Sequence, residues 1–288
     1  MTLLSSGGYA EFVVADERHV MRVPERLSLF EAAGVPETWM TAFQLLYLVA
    51  GNLGEGKRVL IHGAASGVGT SAIQLVLGAG GVPLATAGSE AKLRAVQELG
   101  VRKEHCFNRK ENGGLWADAV LARLEEEGVK GVDIVLDPVG GTYWEMNAKC
   151  LSVDSSWVLY GFLGGAAMVP PSLDDGRGPP LLASLLRKRI RLQGTTLKTR
   201  SPEYKAELRQ KLEEHAHELW ASGRYGPVLD KKMFGLGQAQ AAHEYMETNA
   251  NTGKIVLWVK DPEKEGEEAR LLKKNQERWR KLDAAATL

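Results

Sequence analysis

The chain has 288 residues, 44% of them hydrophobic, with 36 basic and 36 acidic residues and a formal net charge of zero. That length supports one large domain or two ordinary ones, and the balanced charge argues against general nucleic-acid binding, which needs a local cationic excess. No window of about 20 apolar residues reads as a membrane span, the first residues do not read as a signal peptide, and two cysteines without a CxxC motif exclude a disulfide framework or a thiolate zinc site.

Residues 8–23 read as two short strands around a polar turn, and residues 38–49 as a helix. After the glycine-rich turn 51–57, apolar strand-like runs alternate with helical segments. "RVLIHGA" leads into a helix near 69–77, "VPLATAG" into "SEAKLRAVQELG", and "EHCFN" into a polar helix near 114–127. "VDIVLDPVG" leads into a helix near 142–150, and "SWVLYGFLGG" into a Pro/Gly-rich loop (169–180), a short helix and "IRLQGTTL". This alternation predicts an α/β fold with a doubly wound parallel sheet of six strands. A helix follows over 202–221, with Leu208, Leu212 and Leu219 on one face and His215 and His217 beside it, read as packed or solvated side chains. Residues 228–259 read as strand, helix and strand, and 261–288 as a charged helical or disordered tail. Cys106 and Cys150 read as small buried thiols of a reducing compartment, so a cytoplasmic location is the expectation.

The motif that carries chemistry is "HGAASGVGTSAIQL" at 62–75. A strand enters, the chain turns tightly, and a helix begins with backbone N–H groups that lack helical acceptors and attract an anion. Ala64 and Ser66 stand at two of the usual glycine positions. Both are small enough for a pyrophosphate to approach, and Gly67 and Gly69 keep the turn open. No GxxxxGK[ST] string supports a nucleoside-triphosphate loop. The next strand ends in Ala87, Gly88 and Ser89, where a site for NAD usually carries an acid that binds the ribose hydroxyls. Lys92 lies one helical turn on, and Arg109 and Lys110 follow the third strand. A hydroxyl, backbone amides and cations suit a 2′-phosphate, so NADPH is the expected cofactor. Glu90 is the one acid nearby that weighs toward NAD.

The blocks "GGYAEFV", "AAGVPETWMTAFQLL", "TAGSEAKL", "LDPVGGTYWEMNAKCL", "WVLYGFLGG" and "NTGKIVL" occur around this loop, in an order that resembles the medium-chain dehydrogenase/reductases. The likeness is to their zinc-independent quinone oxidoreductase branch and covers about residues 7–259. It implies a Rossmann domain over 38–225, a partial GroES-like, β-rich catalytic domain from 1–37 and 226–260, and a homodimer or homotetramer. It implies hydride transfer from NADPH to quinone-like or enone acceptors, with no membrane or nucleic-acid partner. It matches Ser66, Gly67, Val68 and Gly69 to the pyrophosphate turn, and Gly88, Ser89 and Lys92 to the 2′-phosphate pocket. Arg109 falls where many members have Tyr or His. Tyr160, Gly161, Phe162 and Leu163, with Thr195, Thr196 and Leu197, match two backbone segments beside the nicotinamide. Thr41 matches a threonine under that ring, and Lys254 a basic residue near the pyrophosphate. Glu37 stands where zinc-dependent relatives carry a cysteine ligand, so no metal is expected.

Family members begin with a longer N-terminal segment that builds part of the catalytic domain. The expectation is therefore either an active reductase or a catalytically impaired, NADPH-binding variant with a regulatory or dimerising role. No side chain stands out as a required acid or base; Tyr143 and Tyr160 read as packing residues. A short-chain dehydrogenase also fits "GAASGVG". Against it, none of the seven tyrosines has a lysine four positions later.

Overall fold

The computed structural model describes residues 1–167 and 181–259. The loop expected at 169–180 and the charged tail at 261–288 lie outside the described residues. Regular structure opens with α1 (Leu29–Ala33) and α2 (Val35–Phe43), the latter running on as a π-helix, Gln44–Ala50. A reciprocal cap starts α1: Ser28 Oγ accepts from Glu31 N at 3.1 Å, and the Glu31 carboxylate accepts from Ser28 N at 3.0 Å. Gly51, in the left-handed region at φ 67°, closes the π-helix.

Strands and helices then alternate as the sequence predicts. The order is β1 (Arg58–Ile61), α3 (Gly67–Gly78), β2 (Val82–Ala87), α4 (Glu90–Gln97), β3 (Cys106–Asn108), α5 (Trp116–Glu126) and β4 (Val132–Asp137). It continues with α6 (Trp144–Cys150), β5 (Leu151–Leu159), α7 (Leu181–Lys188), β6 (Arg191–Gly194), α8 (Pro202–Ala221), β7 (Phe234–Gly235), α9 (Ala239–Glu247) and β8 (Leu257–Trp258). Among the described residues no helix is long and apolar enough to cross a membrane.

Contacts divide the chain into two units. The described part of one is Ala42–Ala65 with residues 72–167 and 181–197. Its six strands are all parallel, in the order β3-β2-β1-β4-β5-β6, the doubly wound arrangement. Strands buried on both faces carry unbroken apolar runs. Val59, Leu60 and Ile61 of β1 and Ile134, Val135 and Leu136 of β4 are fully buried. Leu60 pairs with Leu84 on one side and Val135 on the other. Trp116, Val120 and Leu124 of α5 pack on this sheet with Phe107, Leu151 and Trp157. Cys150 is buried in the same cluster and Cys106 is half-buried. Burial pushes the Cys106 thiol up to about 11 and the Cys150 thiol up to about 12. The order of the strands reverses between β1 and β4, and a ligand crevice forms outside the carboxyl ends at such a switch point.

The described part of the other unit is Met1–Thr41, Ser66–Ser71 and residues 198–259. Its core is aromatic. Trp39 meets Trp220 edge-on, with centroids 5.2 Å apart, and Tyr225 at 5.1 Å. Leu208, Leu212 and Ala216 of α8 are buried with Trp220, whereas Leu219, expected on that face, is only half-buried. Ser201 caps α8 by accepting from Tyr204 N at 3.2 Å, and Pro202 occupies the first turn. Ser201→Ala is expected to cost about 1 kcal/mol, read as a lower urea midpoint at constant slope; an unmoved midpoint refutes the cap.

Residues 8–23 do not form the two expected strands. Among the described residues this segment holds one 3-10 turn, Glu17–His19, and one isolated bridge, Thr2 to Val20. Alternation alone does not make a strand; a neighbouring strand must supply the ladder. Phe12 and Val14 are left 90% and 99% exposed.

Candidate functional site

At the carboxyl end of β4, four donors converge on the fully buried Asp137 carboxylate. Val139 N and Gly140 N donate to Oδ1 at 2.8 and 2.9 Å, and Asn147 Nδ2 and Trp157 Nε1 to Oδ2 at 2.9 and 3.0 Å. Because the Asn147 amide nitrogen is committed to Asp137, its carbonyl faces His62 Nε2 at 2.7 Å, and that nitrogen must donate. His62 Nδ1 therefore accepts from Thr86 Oγ1 at 2.9 Å. Burial pushes the His62 imidazole below its ordinary value, which suits this neutral, singly protonated ring. The network ties together the ends of β1, β2, β4 and β5, the floor of the switch-point crevice.

Above it the 137–141 turn and the 160–165 segment are zipped by backbone bonds. Tyr160 N donates to Asp137 O at 2.9 Å, Leu163 N to Pro138 O at 3.0 Å and Gly164 N to Val139 O at 2.8 Å. A Cβ on Gly161 would lie 2.7 Å from Pro138 O, so only glycine allows this approach. Phe162 and Leu163 project outward. Thr195 N continues the sheet to Leu159 O at 2.9 Å, and Gln44 Nε2 holds Thr195 Oγ1 at 3.0 Å. The two backbone segments expected to flank a ring, 160–163 and 195–197, thus follow neighbouring strands.

The ends of β2 and β3 bring together Gly88, Ser89 and Arg109. Arg109 N donates to Ala87 O at 2.9 Å, and the guanidinium lies on Gly88: a Cβ there would be 3.2 Å from both Nε and Nη2. Ser89 caps α4 by accepting from Lys92 N at 3.4 Å, which places Lys92 half-buried in the first turn. Glu90 is bonded to Asn108 Nδ2 at 3.4 Å.

Within the other unit, Ser66, Gly67, Val68 and Gly69 open α3. Ser66 Oγ accepts from Gly69 N at 3.1 Å, while the amides of the first two helix residues have no acceptor inside the helix. A Cβ on Gly67 would lie 2.6 Å from Thr38 Cγ2 and 3.4 Å from Lys254 Cβ. Lys254 is thus beside this turn, ion-paired with Glu37, and Gly253 bridges Ser66. Thr41 sits half-buried in the last turn of α2. The opening can take an anion; the β2–β3 ends can take a second one.

The family model described as zinc-binding dehydrogenase matches residues 116–257. The chain is 27% identical over 265 residues to prostaglandin reductase-3 of Bos taurus, covering 88% of this chain and 65% of that one. It is 30% identical over 257 residues to the reducing polyketide synthase rads1 of Floropilus chiversii, covering 89% of this chain and 10% of the synthase. It therefore spans less than two thirds of the length of these relatives. Among solved structures it is similar to the quinone oxidoreductase from Thermus thermophilus, described also in complex with NADPH, at 26% identity and TM-score 0.71, covering 89% of this chain and 75% of that one.

These likenesses run through the medium-chain dehydrogenase/reductase family.

Among the described residues no group of three or more His, Cys, Asp or Glu is placed to hold a metal ion, and Glu37 is engaged by Lys254. Asp137, Asn147 and His62, which build the crevice floor, are not among the residues expected at the site. The one signal for them was an acid closing an otherwise apolar strand, "VDIVLD".

Proposed function

We propose that the chain is an NADPH-dependent reductase that transfers hydride to quinone-like or enone acceptors without a metal. The observation that carries this reading is the Arg109 guanidinium laid on Gly88 at an end of β2 that bears no acid, with Glu90 turned to Asn108. A planar cation, a serine hydroxyl and Lys92 suit a ribose 2′-phosphate better than a ribose diol. The helix opening at Gly67, with Lys254 beside it, suits the diphosphate. When bound, the nicotinamide supplies the hydride from C4; the chain supplies position and exclusion of water. Tyr160, Gly161, Phe162, Leu163, Thr195, Thr196 and Leu197 are the residues that would hold the ring, chiefly through backbone.

Titration with NADPH and NADH, followed by turnover with an ortho-quinone and a simple enone, tests the reading. Lys92→Glu is expected to weaken NADPH about tenfold or more and to change NADH by less than about threefold; equal losses remove the nucleotide assignment. Binding without turnover removes the reductase and favours the second reading, a nucleotide-binding protein with a regulatory or dimerising role, to which the exposed Phe12 and Val14 point.

A further inference from the structure

Glu37 lies in the first turn of α2, and Lys254 in the segment that passes the opening of α3. The backbone of Lys254 is fixed. Its N donates to Val228 O at 2.8 Å, and its O accepts from Asp230 N at 2.9 Å. The buried Asp230 carboxylate accepts from Thr252 N at 2.7 Å, two residues ahead of the lysine. Gly253 completes the clamp: at φ 73°, a Cβ on it would lie 2.3 Å from Val228 O, so only glycine brings the two segments this close. What can move is the Lys254 side chain. Its stem runs past Gly67, where a Cβ would be 3.4 Å from Lys254 Cβ and 3.5 Å from Cδ, and its ammonium ends on the Glu37 carboxylate. The cation beside the start of α3 thus already has an anion.

We propose that Glu37 is a resident stand-in for the coenzyme's diphosphate: it holds Lys254 in the coenzyme-free chain and yields it when the coenzyme settles. This rests on the coenzyme reading above, of which it needs only the diphosphate at the opening of α3. An ammonium is a compact charge on a flexible stem, able to turn from one acceptor to another without the fixed fork of a guanidinium. The exchange is easy because the Lys254 and Glu37 side chains are 36% and 45% exposed, and ion pairs so open to water contribute little. A diphosphate brings more than one negative charge and also takes up the first amides of α3. It therefore wins the lysine, but its affinity is lowered by whatever the pair with Glu37 was worth. When the coenzyme leaves, the same carboxylate takes the lysine back. NADPH and NADH both carry the diphosphate, so Glu37 acts on both alike.

Dissociation constants for NADPH and NADH are measured by calorimetry on the full chain for wild type, Glu37→Gln, Lys254→Met and the double variant. The salt concentration is about 0.15 M, where exposed charges more than about 8 Å apart are screened. Thermal unfolding of each variant serves as the fold control. Glu37→Gln is expected to tighten both coenzymes about threefold to fivefold, a gain that the loss of a merely structural residue does not produce. Glu37→Ala, which leaves no amide to engage the lysine, is expected to give the same gain. In the Lys254→Met background Glu37→Gln is expected to change either affinity by less than about 1.5-fold, because no lysine is left to withhold. Unchanged or weaker binding in a folded Glu37→Gln chain, a gain for one coenzyme alone, or the full gain without Lys254 overturns the exchange and leaves the reductase reading standing. A wild-type chain that prefers NADH overturns the nucleotide assignment and leaves the role of Glu37 standing; one that binds neither coenzyme overturns both.

Discussion

Replacing Asp137 with alanine is expected to destabilise the sheet unit by about 3–5 kcal/mol. The reason is the number of donors it would abandon. The amides of Val139 and Gly140, the Asn147 amide group and the Trp157 indole all point at this carboxylate from within the fold. Water has no easy route to replace it, since Asp137, Asn147 and Trp157 are all buried. Each donor left unpaired costs about 1–3 kcal/mol, and local relaxation recovers part of the sum. Asp137→Asn is the milder variant: it keeps the shape but sets an NH2 group against donors, and about 1–3 kcal/mol is expected. Urea unfolding monitored by tryptophan fluorescence gives both values. If Asp137→Ala unfolds within about 1 kcal/mol of wild type, the convergence of donors described here is not what stabilises this end of the sheet.

Gly67→Val is expected to lower coenzyme affinity by about a hundredfold or more and to cost about 1–3 kcal/mol of stability through overpacking. The space for its Cβ is already taken by Thr38 Cγ2 at 2.6 Å. Thr38 cannot simply turn away: its hydroxyl donates to Gly34 O at 2.7 Å, and the residue is buried. The two γ-carbons of valine also crowd Lys254 and the first amides of α3, where an anion would settle. Gly54→Ala is the control, because a Cβ there meets nothing within 4 Å. Calorimetric titration of folded protein distinguishes the two; unchanged affinity in Gly67→Val would show that the diphosphate does not sit on this helix start.

The sheet was legible because its strands announce themselves locally. Each of β1, β2 and β4 is a short apolar run closed by small residues or an acid, and each is followed by a helix whose cap or opening is visible, as at Ser66 and Ser89. Residues 8–23 show the opposite case. Their alternation resembles a strand, but pairing depends on a partner segment, and among the described residues the only pairing there is Thr2 with Val20. The site divides in the same way. Ser66, Gly67 and Gly69 could be read from the chemistry of a helix start, and Arg109 from its place after the third strand. The contacts of His62 with Asn147, 85 positions away, and of Asp137 with Trp157, 20 away, arise only when the sheet forms. Tyr143 read as packing, and its ring does pack against His62 and Trp116.

The hydrogen-bonded run from Thr86 through His62 and Asn147 to Asp137 has one further property. Every proton in it points the same way, toward the carboxylate, so the run has a single polarity and no mirror arrangement of equal energy. Turning over the Asn147 amide would set donor against donor at one end and acceptor against acceptor at the other. The floor of the crevice is consequently a frozen dipole array, oriented during folding, and an arriving guest would meet a surface that has little rearranging left to do.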